Sequence, residues 1–196
     1  MTTFDFGFGP VPAHQHPNGR GWVADTAHVD DSAYIGPDAR VFGDARVSGN
    51  ARVSGDARVF GDARVYGDAW VSGDAWVFGN AQVYGGAQVY GDARVYGDAW
   101  VYGGAQVSGG AWVFGNAQVS GGAKLAKSSD YLLIGPIGSR AAFMTWTRSD
   151  NCIATGCFRG TIKEFLAAVR ETHGDNEHAQ AYRAAVEFIR AMEKQP

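Results

Sequence analysis

Cysteine is scarce in this chain. Cys152 and Cys157 are the only two among 196 residues, too few for a disulfide framework. No apolar run is long enough to cross a bilayer, and the first ten residues lack a signal-peptide pattern, because Asp5 and glycines break up their apolar side chains. An excess of one charge is missing too. The net charge is −3, which gives no reason to expect nonspecific binding to nucleic acid. Histidine is absent from 41 to 125. These absences lead to the expectation of a cytoplasmic protein with neither a membrane nor a nucleic acid as its partner.

What the chain has in abundance is one six-residue unit, as in Val59-Phe60-Gly61-Asp62-Ala63-Arg64. An aliphatic residue stands at 23 and at every sixth position to 125. Alanine follows four places later from Ala27 to Ala123, and glycine two places later from Gly43 to Gly121, without insertion or deletion. A fixed period of this kind marks a stacked-repeat architecture. In Ala63-Arg64-Val65 the apolar residues are two apart, so they face one side of a short strand and Arg64 faces the other. Tyr66-Gly67-Asp68 is corner chemistry: glycine accepts a positive φ, and aspartate can bond its own backbone. So short a strand is stable only when stacked on copies of itself.

The number of units per turn is also legible. The residue after each valine, taken every 18 positions, gives Phe42, Phe60, Phe78, Tyr96 and Phe114 in one column. A second column is Ser48, Tyr66, Tyr84, Tyr102 and Ser120. Groupings at 12 or 24 mix these sets. Three hexads per coil predict a triangular parallel β-helix, mainly β, with 18 residues per coil and about six coils. At the usual strand spacing the column is about 28 Å tall.

From Trp22 to Leu125 the chain resembles the hexapeptide-repeat family, on spacings such as Val59 to Ala63 and Val65 to Ala69. The resemblance implies a left-handed helix and suggests trimers. It differs in placing Phe, Tyr or Ser after the aliphatic residue, with glycine one place later. The family's acyltransferases use a histidine near the coils, and its carbonic-anhydrase branch needs three zinc histidines. Here only His28 lies in the prism. The opening segment from Gly9 to Gly19 and the C-terminal segment also resemble uncharacterised bacterial and prophage-encoded repeat proteins.

Three parts follow: a capping segment over 1–21, the β-helix over 22–126 and a smaller module over 127–196. The first part shows no strand period, but Phe4, Phe6 and Phe8 can lay one face across the open end of the first coil. His14 and His16 form a His-x-His pair without a recognisable third metal ligand. In the last part strands are expected over 131–134, 141–148 and 151–157. A capping box, Thr161 to Glu164, then opens a helix that ends before Gly174, and a second helix begins near Asn176. The module thus reads as β-β-β-α-α.

Candidate sites lie on the outside, since Ala and Val fill the prism. One face carries Trp22, Arg40, Arg58, Trp76, Arg94 and Trp112, the richest set of contact residues. Acids one coil apart, such as Asp38, Asp56, Asp74 and Asp92, suggest calcium, but the Gly-Gly-x-Gly-x-Asp unit of calcium-binding rolls is absent and nearby arginines can balance their charge. In the C-terminal module Ser139, Arg140, Arg159 and Thr161 are candidates for a small anion, and Cys157 with His173 for a nucleophile pair. The leading expectation is a non-enzymatic scaffold needing no cofactor or metal. It would self-associate as dimer or trimer, or bind a protein partner, through the Arg/Trp face. Capture of a phosphorylated or nucleotide-like molecule by the C-terminal module is the second reading. A divergent hexapeptide acyltransferase is the third, and it lacks a histidine in the coils.

Overall fold

The computed structural model describes residues 2–193. Each hexad contributes a short strand, in most cases two residues made of one outward residue and the inward aliphatic one, as in Arg40–Val41, Arg46–Val47 and Arg52–Val53. The alanine ahead of each pair lies inward as well, outside the ladder proper. Parallel pairing runs Trp22↔Arg40, Arg40↔Arg58, Trp76↔Arg58, Trp76↔Arg94 and Arg94↔Trp112, always 18 residues apart. The coils build three parallel sheets of six strands each. Every inward Ala and Val from Ala33 to Ala123, and Ile35 with them, is fully buried in one continuous core.

The corners need glycine for two separate reasons. Gly73 has φ +67°, which side chains resist, and a Cβ there would lie 2.9 Å from the Gly91 nitrogen of the next coil. Glycine stacks on glycine down each edge, and that close approach lets the coils keep sheet spacing around the turn. Beside one edge the Phe42, Phe60, Phe78 and Tyr96 rings stack with centroids 4.8–5.0 Å apart. Phe6 extends this stack at the start, and Tyr131 closes it edge-on beyond Phe114.

The N-terminal segment differs from expectation. Thr3–Asp5 and Pro10–Gln15 form an antiparallel hairpin whose second strand pairs with Trp22–Ala24, so the first face carries eight strands. Pro10 and Pro12 hid this strand, since proline removes a ladder donor and is tolerated only near sheet edges. Of the three phenylalanines only Phe6 is buried. Phe4 stacks on Trp22 at 4.5 Å, and Phe8 is 85% exposed.

The C-terminal module has four antiparallel strands rather than three: Tyr131–Ile137, Ala142–Thr147, Cys152–Thr155 and Phe158–Thr161. The stretch read as strand to Cys157 turns at Gly156 (φ +55°) and runs back as the fourth. Helices α1 (Ile162–His173) and α2 (Glu177–Glu193) follow. Thr161 caps α1 reciprocally: its hydroxyl accepts from Glu164 N, and the Glu164 carboxylate accepts from Thr161 N at 2.8 Å. Met144 and Trp146 face the helices in a core with Ile153, Phe165, Val186 and Ile189.

Between those two, Thr145 faces the solenoid. In every coil the outward residue sends its N–H to the next coil, as Arg40 N does to Ala57 O. The last coil has no successor. There the module supplies hydroxyls instead: Ser128 Oγ accepts from Trp112 N at 3.0 Å, Thr145 Oγ1 from Gln118 N at 2.9 Å, and Ser149 Oγ from Lys124 N at 2.7 Å. Each of the three faces thus has the outward residue's N–H of its last strand met by the module, which goes toward the requirement that a solenoid cover its terminal strands.

Candidate functional site

The first face is a ladder of stacked charges and rings. The Arg58 guanidinium lies 5.1 Å from the Trp76 ring, Arg94 4.8 Å from the same ring, and Arg94 5.0 Å from Trp112. Trp76 is therefore sandwiched between two cations and is only half-exposed, whereas Trp112 at the lower end is 44% exposed. Trp22 is not open to a partner in the way the sequence suggested: Phe4 of the hairpin stacks on it, and Arg40 lies over Phe4 at 5.6 Å. Next to this ladder, on the other side of the inward valines, runs the Phe/Tyr stack. Phe60 meets Trp76 edge-on at 6.1 Å, which ties the two columns into one surface.

The coil arginines do not balance the acids. Among the described residues the ion pairs are His14–Asp25, Arg159–Asp150, His178–Glu177, Arg183–Asp175 and Arg190–Glu187, none within the repeated coils. The guanidiniums of Arg40, Arg52, Arg58 and Arg94 stack on rings instead. Corner acids are met by amides, Asn50 donating to Asp68 at 3.2 Å and Asn80 to Asp98 at 3.0 Å. His14 of the His-x-His pair bonds Asp25 at 2.8 Å, and His16 is buried, with Nδ1 against Asn18. No three His, Cys, Asp or Glu side chains among the described residues converge as metal ligands.

The four anion candidates separate. Arg159 reaches down to the solenoid, donating to Asp150 at 2.7 Å and to the Ser120 carbonyl at 3.3 Å. Thr161 is used as the α1 cap, and the Glu164 carboxylate occupies the place an anion would take. Its two bonds from Thr161 hold Glu164 below the usual carboxylate range. Ser139 and Arg140 lie elsewhere, on a cleft of about 230 Å³ shared with Cys157, His173, Phe165 and Tyr182. The structure thus brings Ser139 and Arg140 to the Cys157 and His173 candidates and leaves Arg159 and Thr161 apart. Cys152 lies outside that lining. Burial pushes its thiol up, and Asp150 adds to the effect.

A family model described as the YdcK beta solenoid repeat matches residues 39–55, 45–58, 51–67, 57–73 and 87–103. This is a β-solenoid repeat protein. The matched segments all lie within the coils whose 18-residue register is described above, and none reaches the hairpin or the C-terminal module. No curated protein and no solved structure matches the chain. Sequence reasoning missed Ser128, Thr145 and Ser149 as edge acceptors, because isolated hydroxyls outside the repeat carry no periodic signal. It also missed Phe4 and Phe6 as the upper ends of two stacks, although their alternation pointed to one shared face.

Proposed function

We propose that the protein is a non-enzymatic scaffold of hexapeptide-repeat type, and that the Arg/Trp face is where a second copy or a protein partner docks. The supporting observation is the preordered ladder Arg58–Trp76–Arg94–Trp112, in which each long side chain is already held by its neighbour. Ordering rotamer-rich side chains costs about 0.5–1.5 kcal/mol each on binding, and a ladder stacked beforehand avoids most of that cost. Trp and Arg also dominate binding energy at buried contacts. Trp112 and Phe114, at 44% and 41% exposure, give the lower end of this face an open apolar patch. The coils contain no histidine between 41 and 125 to serve an acyl transfer.

Sedimentation of the parent and of a Trp76→Gln, Trp112→Gln variant at matched concentrations tests the reading. The variant loses three stacks worth about 0.5–1 kcal/mol each, so its melting is followed in parallel. A concentration-dependent oligomer in the parent, weakened in a still-folded variant, is the expected result. A monomeric parent with no partner-dependent change, or equal association of the two, removes this face from the function.

A second reading rests on the cleft at Arg140. Its lining contains one fixed cation and His173 but no carboxylate, which suits a small anionic ligand. A gain in melting temperature with inorganic phosphate or a nucleotide, lost in Arg140→Gln, is the result it requires.

A further inference from the structure

Five of the six tryptophans have a partner. Trp22 lies under Phe4, Trp70 under Arg52, Trp76 between two arginines and Trp112 against Arg94. Trp146 is buried and donates to Asn151 at 2.8 Å. Trp100 is the exception. Its ladder neighbours are Gln82 and Gln118, and no ring or cation stacks on it among the described residues. It is 40% exposed and lines a hollow of about 380 Å³ with Asn80, Gln82, Asp98, Asn116 and Gln118.

The chemistry of this hollow is narrow. One indole is ringed by four amides and one carboxylate, with no cation and no aliphatic side chain. Asn80 donates to Asp98 at 3.0 Å, and the Tyr66 hydroxyl donates to Gln82 Oε1 at 3.3 Å, so part of the rim is fixed in advance. An anionic ligand would meet Asp98 with nothing to offset it. A purely apolar ligand would strip water from five polar side chains and return no hydrogen bonds.

We infer that the hollow binds a neutral, unbranched glycan with one pyranose ring stacked on Trp100. A sugar with equatorial hydroxyls turns axial C–H groups toward the indole, whose negative face attracts them. Its rim of hydroxyls both donates and accepts. Amide side chains do the same, and Asp98 accepts. Coils repeat at about 4.8 Å, which sets Gln82 and Gln118 one step to either side of the stacked ring, facing the next sugars of a chain. The coils stack in constant 18-residue register here, a linear series of positions that suits an extended β-1,4-linked chain better than a curved α-1,4-linked one.

The probe is cellohexaose, titrated against the full chain while tryptophan emission and ligand saturation-transfer signals are followed. Binding on the order of millimolar is expected, as for a shallow and partly hydrated site. Trp100→Ala should weaken it by about tenfold or more, which is about 1.4 kcal/mol, while Trp70→Ala leaves it unchanged. If Trp100→Ala melts below the parent, Asn116→Ala on the rim is read instead and must also weaken binding. Maltohexaose should bind less well. Absence of cellohexaose binding overturns the inference, as does equal binding by the substituted chain or by maltohexaose. A response of Trp100 to tetramethylammonium instead would make this a cation site and overturn it equally.

Discussion

The Gln118 backbone N–H donates to the Thr145 hydroxyl at 2.9 Å, joining the last coil to the second strand of the C-terminal sheet. Thr145 is 1% exposed, so no water can replace it. Thr145→Val keeps the shape and removes the acceptor. The orphaned N–H should cost about 1–3 kcal/mol, read as a lower urea midpoint at an unchanged slope. Ser149→Ala, at a more open edge, should cost less. Equal stability of Thr145→Val and the parent would show that the hydroxyl does not close the coil.

The prism tolerates no added volume. Ala63 is fully buried among valines, and Ala63→Leu should overpack it at a cost of about 1–3 kcal/mol. Gly61→Val should also destabilise: Gly61 has φ +70°, and a Cβ there would approach the Gly79 nitrogen to 3.1 Å. Thermal melts check both, and parent-like melting in both variants contradicts the inward alanine and the corner glycine alike.

The coil was legible because its periodicity is redundant. Val59, Gly61 and Ala63 each recur with their own structural reason, and the aromatic column fixed the coil length independently. The hairpin was not legible: Pro10 and Pro12 read as strand breakers, yet they sit opposite Asp5 and Thr3, before the stretch Ala13–Gln15 that pairs with Trp22–Ala24. The face was read correctly as a column, but not its covering. Only the fold sets Phe4 over Trp22 and places Arg58 and Arg94 on either side of Trp76. The anion set is divided for a similar reason. Arg159 and Thr161 look free in sequence, but one is needed by Asp150 and the other by its own helix.

Deleting Gly61–Phe78 removes 18 residues, one coil, and joins Phe60 to Gly79 in register. The aromatic stack and both ends keep their partners, so the shortened chain should fold and unfold cooperatively. Removing two hexads instead keeps the local phase but sets Phe over Ser or Tyr and rotates the caps against the faces. Circular dichroism and melting compare the two. Equal stability would mean that the coil is not the unit of assembly.

Tyr131 predicts an alkaline limit. It is 5% exposed, and its hydroxyl faces the Phe114 backbone without making a hydrogen bond of ordinary geometry. Burial pushes the phenol from 10.0 up to about 12. The folded state therefore holds its proton where the unfolded chain has lost it. The associated stability is complete below about pH 10 and is lost as pH rises through about 12. Tyr131→Phe should melt at or above the parent at neutral pH and fall less steeply above pH 10. Burial raises Tyr66 and Tyr84 too, a background common to both proteins. Identical alkaline profiles would rule out Tyr131 as the source.

The antiparallel strand Pro10–Gln15, laid on Trp22–Ala24, has a consequence for assembly. Every strand of the prism runs the same way, so a filament would grow only if each new molecule offered strands of matching direction to an open end. At one end of the first face the hairpin reverses that direction, with Thr3–Asp5 as the outermost strand. At the other, Ser128, Thr145 and Ser149 have taken one donor on each face that a following molecule would need. On the first face head-to-tail addition of strands is closed at both ends, which favours the flanks as the route by which copies of this column can meet.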